Sequence, residues 1–192
     1  MLCRVLVKYP DEQEANRKGN RVKICTDVAY SEDRAAAGVV GFRDWGDSDP
    51  AFTATVICDT VQPYIPGKFY LRELPCLLAA IRRLRGIDLE VILIDGYVWL
   101  APGQRWGLGA YLHEAVGGIA VVGVAKSRFR GAEQEARAVF RGRSRRPLYV
   151  TAVGLDVDFA AAMVERMAGA GRIPALVRRA DRLARRGIIG GN

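Results

Sequence analysis

An α/β fold with a mixed central sheet flanked by helices is predicted by three features of this 192-residue sequence. Residues 91–94 form an apolar run behind Glu90 that ends directly in Asp95 and Gly96, the pattern of a strand buried on both faces. Upstream, three β-patterned segments follow one another across short turn-like connections, as in an antiparallel meander. Between these regions the period changes. Over residues 69–85, Leu71, Leu74, Leu77, Leu78, Ile81 and Leu84 recur at helical spacing.

Taken in order, residues 9–20 are polar, contain Pro10 and Gly19, and read as a loop or a short surface helix. The first meander strand, residues 22–30, carries Asp27 inside it. Residues 35–42 and 51–58 follow, the last with the β-branched Thr53 and Thr55. Residues 31–34 and 44–50 supply the turns. Pro63-Tyr64-Ile65-Pro66-Gly67 is a rigid, proline-bounded loop. The helix after it carries Glu73 in its first turns, and Pro75 predicts a kink or a late start, because proline lacks the amide a helix interior needs. Beyond Asp95, residues 97–106 read as an aromatic loop and 107–116 as a small-residue helix. Residues 119–124 form a second buried strand running into Ala125-Lys126-Ser127. A basic segment, 128–146, leads to a strand at 147–153 and helices at 157–167 and 174–186, the last with a basic face. Residues 187–192 are expected to fray. No internal repeat is present, and the length fits one domain over 1–192 with its core at about 22–186.

The composition narrows the class. Half the residues are hydrophobic, which argues against disorder. No apolar run approaches the roughly 18 residues that span a bilayer. The first eight residues are too short for a signal-peptide core and lack a cleavage site. Cys3, Cys25, Cys58 and Cys76 show no CxxC spacing and no pairing with His113, the one histidine. That argues against zinc and predicts reduced thiols in a cytoplasmic protein. The net charge of +8 is unevenly placed: 15 Lys/Arg stand against 6 Asp/Glu from Lys126 onward, and 14 against 15 before it. Such asymmetry points to a polyanionic partner. An arginine-rich composition alone gives the same count.

The order βββαβαβ, with acids in the first strand, first helix and fourth strand, matches a ribonuclease H-like layout. In that layout the first and fourth strands are neighbours, so Asp27 and Asp95 face one another and Glu73 closes the cluster. Asp95 stands at a strand's carboxyl end, where open α/β sheets place ligands; taken alone, it serves equally well as a turn cap. Clustered carboxylates suit Mg²⁺ or Mn²⁺, hard cations that take oxygen ligands. Such an ion polarises a scissile phosphate, activates water and stabilises the leaving oxyanion. By spacing alone, three acids so far apart carry little specificity.

Five motifs in order carry more. They are Thr26-Asp27-Val28-Ala29-Tyr30; Pro63 to Gly67 with Leu71-Arg72-Glu73-Leu74-Pro75; Ile94-Asp95-Gly96; Val122-Gly123-Val124-Ala125-Lys126-Ser127; and Arg172-Ile173-Pro174 with Arg178-Arg179-Ala180-Asp181. Over residues 22–186 this series resembles the endonuclease V family. The resemblance implies a ribonuclease H-like fold and Mg²⁺-dependent cleavage of DNA or RNA on the 3′ side of deaminated purines, chiefly hypoxanthine. Mn²⁺ is the expected substitute. It further implies that Asp27, Glu73 and Asp95 bind metal, that Asp181 lies near it, and that Lys126 contacts the scissile phosphate. Pro63, Tyr64, Ile65, Pro66 and Gly67 would form a strand-separating wedge with Tyr64 stacking, and Gly96 and Gly123 would line the base pocket. DNA and/or RNA is the expected partner, with no membrane and a monomeric state.

The chain departs from the family pattern immediately after Gly96. Val98 replaces the second glycine, and Ala101 and Tyr111 stand where the family has histidines. His113 occupies no motif position and reads as structural or surface. Two alternatives follow. The same chemistry acts on another modified base, a flap or RNA; or the fold is a non-catalytic binding module using the basic segment 141–146 and the helix 178–186.

Overall fold

The structure, a computed structural model, describes residues 3–8 (as backbone), 21–31, 33–59, 65, 70–103 and 105–189. The strands are β1 (Cys3–Lys8), β2 (Val22–Tyr30), β3 (Ala35–Phe42), β4 (Phe52–Cys58), β5 (Leu89–Ile94), β6 (Trp99–Ala101), β7 (Arg105–Trp106), β8 (Ala120–Ala125), β9 (Arg137–Val139) and β10 (Leu148–Val153). The helices are α1 (Tyr70–Ile81), α2 (Leu108–Ala115), α3 (Val157–Arg166) and α4 (Ala175–Ile189).

Eight strands form one mixed sheet in the order β1-β4-β3-β2-β5-β8-β10-β9. The meander β2-β3-β4 is antiparallel. β5 pairs in parallel with β2, and β8 in parallel with β5. The first and fourth strands of the predicted series are therefore neighbours, as a ribonuclease H-like layout requires. Burial alternates along β5 as the pleat dictates. Ile92 and Ile94 join the core under α1 and α2, with Leu77 and Leu112. Val91 and Leu93 join the core under α3 and α4, with Val164 and Leu176. Each fully buried aliphatic side chain contributes about 1.5–3 kcal/mol over its exposed state, so the two-sided run explains the apolar pattern of this segment.

Several expectations are corrected. β1 was not foreseen: the N-terminal segment pairs antiparallel with β4 at the sheet edge, and such pairing to a distant strand leaves no local signal. The aromatic loop contains the β6–β7 hairpin, and the basic segment contains β9. α1 begins before Pro75 and continues through it, so the late start is not adopted. α4 runs to Ile189 and does not fray at Gly187. A Cβ on Gly187 would come within 2.7 Å of Thr55 Cγ2 and 2.9 Å of Ala36 Cβ, so the glycine seats the last turn against the sheet. Residues 9–20 lie outside the described residues.

α4 presents Leu176, Ala180, Ala184 and Gly187 to the sheet and leaves Arg178, Arg179, Arg182, Arg185 and Arg186 exposed. Its approach to β3 is close. A Cβ on Gly38 would fall 2.3 Å from Ala180 O and 2.7 Å from Ala184 N. Arg141 does not take part in the basic binding segment read over 141–146. It is only 5% exposed. Its guanidinium donates to the carbonyls of Glu165 (3.1 Å), Gly169 (3.3 Å), Gly171 (3.1 Å), Arg172 (3.3 Å) and Met167. Arg141 thus clamps the α3–α4 connection and has no donor to offer a phosphate.

Candidate functional site

The site grows from strand parity. Cys25, Leu93 and Val124 of the parallel neighbours β2, β5 and β8 belong to the core under α3 and α4. The next same-side positions along the chain are Asp27, Asp95 and Lys126. α4 adds Asp181, beside buried Ala180, and the first turn of α1 adds Glu73. All five line one cavity of about 590 Å³. The structure thus brings together every predicted charged site residue. Much of the rest of its lining is apolar and aromatic, with Tyr70, Tyr97, Leu100, Trp106, Leu108 and Phe129.

The carboxylates repel one another in a poorly solvated place. Burial raises the Asp27 pKa to about 7, helped by the charge of Asp95. Lys126 and the Val28 amide, which donates to Asp27 at 2.8 Å, pull it back in part. Burial raises Glu73 to about 8, helped by Asp27 and Asp95; a hydrogen bond from Tyr30 offsets part of the rise. Burial alone would lower the Lys126 pKa, but the hydrogen bond and charge of Asp95 outweigh it and the net shift is upward. Asp181 accepts from Arg185 Nε at 2.9 Å. Lys126 is held from behind, because Arg172 donates to its carbonyl and to Pro147 O at 2.7 Å. Tyr30 and Arg172 received no individual role from sequence, and Arg185 entered only within the basic helix 178–186. Tyr30 and Arg172 lie inside quoted motifs, the only signal that could have found them.

Among the described residues, no three His, Cys, Asp or Glu side chains form a ready-made metal cage. Asp95 is turned onto Lys126 and Asp181 onto Arg185. The donor chemistry nevertheless fits a hard divalent cation: carboxylate oxygens from four parts of the fold, with no thiol or imidazole among the described residues that line the cavity. Such an ion would supply the positive charge that burial and repulsion demand.

A pH prediction follows. Both acids titrate above their ordinary values of 3.8 and 4.5, so the folded metal-free protein holds protons that the unfolded chain releases. Their contribution to stability is therefore full below about pH 4 and is lost as pH rises towards about 8. With a chelator present, the melting temperature should fall between pH 5 and pH 8 by at least about 5 °C, since 1 kcal/mol moves it by about 2–4 °C at this size. Mg²⁺ or Mn²⁺ at pH 8 should restore most of the loss. A flat profile, or one unchanged in Asp27→Asn/Glu73→Gln, would contradict this electrostatic account.

The family model described as Endonuclease V matches residues 5–182. The chain belongs to the Endonuclease V family. Endonuclease V of Streptomyces avermitilis is 33% identical over 185 residues, covering 84% of this chain and 78% of that protein. Endonuclease V of Geotalea uraniireducens is 35% identical over 177 residues, covering 82% and 74%. The crystal structure of the S. avermitilis Endonuclease V superposes with a TM-score of 0.68 at 29% identity, over 90% of this chain and 83% of that one. The fold is also that of Ciona intestinalis Endonuclease V in complex with a 24mer DNA containing an inosine followed by a ribo-adenosine. That match has a TM-score of 0.74 at 16% identity and covers 94% of this chain and 95% of that one.

The departures from the Endonuclease V pattern have definite places. Val98 is fully buried; its amide donates to Thr151 Oγ1 at 2.8 Å, and its side chain packs on Gly109. It fills core, not cavity. Ala101 lies on β6, paired with Arg105. Tyr111 stacks on Tyr70, with ring centroids 3.9 Å apart and planes at 8°. His113 Nδ1 hydrogen-bonds the Ile119 carbonyl at 2.8 Å, a structural role. Gly96 lines the cavity with φ at +134°, a conformation that favours glycine. Gly123 is not among the lining residues. A Cβ there would meet Gly96 O at 2.5 Å and Thr151 Oγ1 at 2.7 Å. Of the wedge, Ile65 is exposed, and Pro63, Tyr64, Pro66 and Gly67 lie outside the described residues. No helix among the described residues is long and apolar enough to cross a membrane.

Proposed function

We infer that this chain is a Mg²⁺-dependent endonuclease, with Mn²⁺ as a substitute, that hydrolyses the phosphodiester 3′ to deaminated purines in DNA or RNA, acting as a cytoplasmic monomer. The observation that carries this reading is the convergence of Asp27, Glu73 and Asp95 with Lys126 in one cavity. The inosine-containing DNA bound by the Ciona Endonuclease V supports the substrate class.

Asp27, Glu73 and Asp95 would hold the metal, with Asp181 beside them. A bound Mg²⁺ supplies Lewis-acid polarisation of the phosphate and countercharge for its oxygens. Lys126, released from Asp95, places an ammonium against a non-bridging oxygen, with its backbone fixed by Arg172. Water is the nucleophile. The aromatic wall excludes bulk water from one side of the site, which strengthens these charge interactions. Residues Pro63 to Gly67 would separate the strands beside the lesion, and Gly96 would let the backbone approach an extruded base, with Gly123 packed directly behind it.

With Mg²⁺, the protein should nick hypoxanthine-containing single- and double-stranded DNA and inosine-containing RNA, and EDTA should stop it. Binding these substrates in Mg²⁺ and Mn²⁺ without cutting them would end the specificity reading. A second reading keeps the chemistry and changes the substrate, and it rests on Val98, Ala101 and Tyr111. A cleavage panel of flaps, branched DNA and other modified bases separates the two. The exposed arginines of α4 suit a backbone-tracking contact, whose affinity should fall steeply with salt. If that contact were the whole function, calorimetry would detect no Mg²⁺ binding.

A further inference from the structure

The apolar lining of the cavity contains a continuous aromatic assembly that takes no direct part in the bond-breaking chemistry. The ring of Tyr70, at the start of α1, lies parallel to that of Tyr111 on α2. Trp106 on β7 meets Tyr111 edge-to-face, with centroids 5.0 Å apart at 70°. Tyr70 and Trp106 both line the cavity that holds the carboxylates, and Trp106 remains 42% exposed. Arg105, exposed beside Trp106, also lines it and places a positive charge at the rim.

The backbone amide of Gly107, which lines the cavity, is already committed, donating to Val98 O at 2.7 Å. The Tyr97 hydroxyl is spent too, donating to Ser127 O at 2.8 Å and accepting from Phe129 N at 3.0 Å. Trp106 offers exposed ring surface with a cation beside it. Such a surface grips the π-face that all bases share and does not read their edges.

We propose that Trp106, backed by the Tyr111–Tyr70 stack, is a stacking site for an unpaired nucleobase flanking the cleaved phosphate, accepting any base. This rests on the nuclease reading above and adds a substrate requirement to it: an unstacked neighbour on the strand whose phosphate lies at Lys126. The other two tryptophans are engaged elsewhere. Trp99 Nε1 donates to Ala152 O at 2.9 Å, and Trp45 packs edge-on against Phe42 at 5.8 Å.

The test uses the full chain carrying Asp95→Asn, in Mg²⁺, and single-stranded oligonucleotides with one hypoxanthine. An abasic residue is walked through the positions on either side. At one flanking position the abasic residue should weaken binding about tenfold to hundredfold, the range of one base–aromatic stack. The four ordinary bases there should agree within about threefold. Adding Trp106→Ala should cause a similar loss and make the abasic substitution at that position nearly silent. Tyr111→Leu gives a second, independent variant that should weaken binding at the same position, and Trp106→Phe should retain most affinity while losing the tryptophan quenching that stacking is expected to cause. Thermal melts confirm that each variant is folded. Losses that multiply at every position, or a coupled position that distinguishes bases by more than about tenfold, would overturn the proposal. Wild-type cleavage reports separately. Cutting without Trp106 coupling retires the stacking site alone, and coupling without cutting of any substrate retires the nuclease reading alone.

Discussion

Asp95→Asn is expected to lower metal-dependent cleavage by about 10³-fold or more while leaving the fold intact. Asp95 directly follows β5, and its charge is felt at both Asp27 and Glu73. Asparagine keeps the size and one oxygen but removes the negative charge that would hold a divalent cation and orient Lys126. A share of about 4 kcal/mol in a metal's stabilisation of the transition state corresponds to about 10³ in rate. The neighbouring acids gain from the change, because one source of their repulsion is gone, so the metal-free melting temperature should be level or higher. Single-turnover rates at saturating Mg²⁺ provide the check, with calorimetry for the metal. A variant within tenfold of wild type would remove Asp95 from the centre of the chemistry.

Arg141→Met should destabilise the protein by about 3–5 kcal/mol, a large effect for a residue far from the cavity. Methionine matches the length of the stem but donates nothing. Five carbonyls between Glu165 and Arg172 then lose a charged donor, and each buried acceptor left unpaired costs about 1–3 kcal/mol, with water recovering some. Urea unfolding should show the loss as a lower midpoint at unchanged slope. Arg141→Lys should recover only part of it, since an ammonium cannot fan five ways. A loss below about 1 kcal/mol would mean the connection does not depend on this clamp. Arg172 lies on that same connection and holds the Lys126 carbonyl, so residual activity should fall as well.

These two residues mark the limits of what the sequence makes legible. Asp95 announces itself, because the apolar run before it and the glycine after it place a carboxylate at a buried strand's end. Parity then carries Asp27 and Lys126 to the same side, since β2 and β8 flank β5 in parallel. Arg141 has no such signature. Within Arg141-Gly142-Arg143-Ser144-Arg145-Arg146 it looks like its solvent-facing neighbours, and only carbonyls from a distant connection distinguish it. β1 escaped for the same reason, its partner strand being β4. The stack of Tyr70, Trp106 and Tyr111 draws its rings from two helices and a hairpin, and no spacing in the chain predicts that they meet.

The contact at Gly38 ties the seam between α4 and β3 to the chemistry. Helix backbone rests there on strand backbone, and Asp181 is the residue after Ala180, whose carbonyl touches that floor. The seam works as a gauge block: its thickness sets how far the fourth carboxylate reaches into the cavity. A single methyl at position 38 would lift the helix at that point and draw Asp181 away from Asp27. Sequence change along this seam would thus regulate the acidic site by degrees, without altering any residue that lines it.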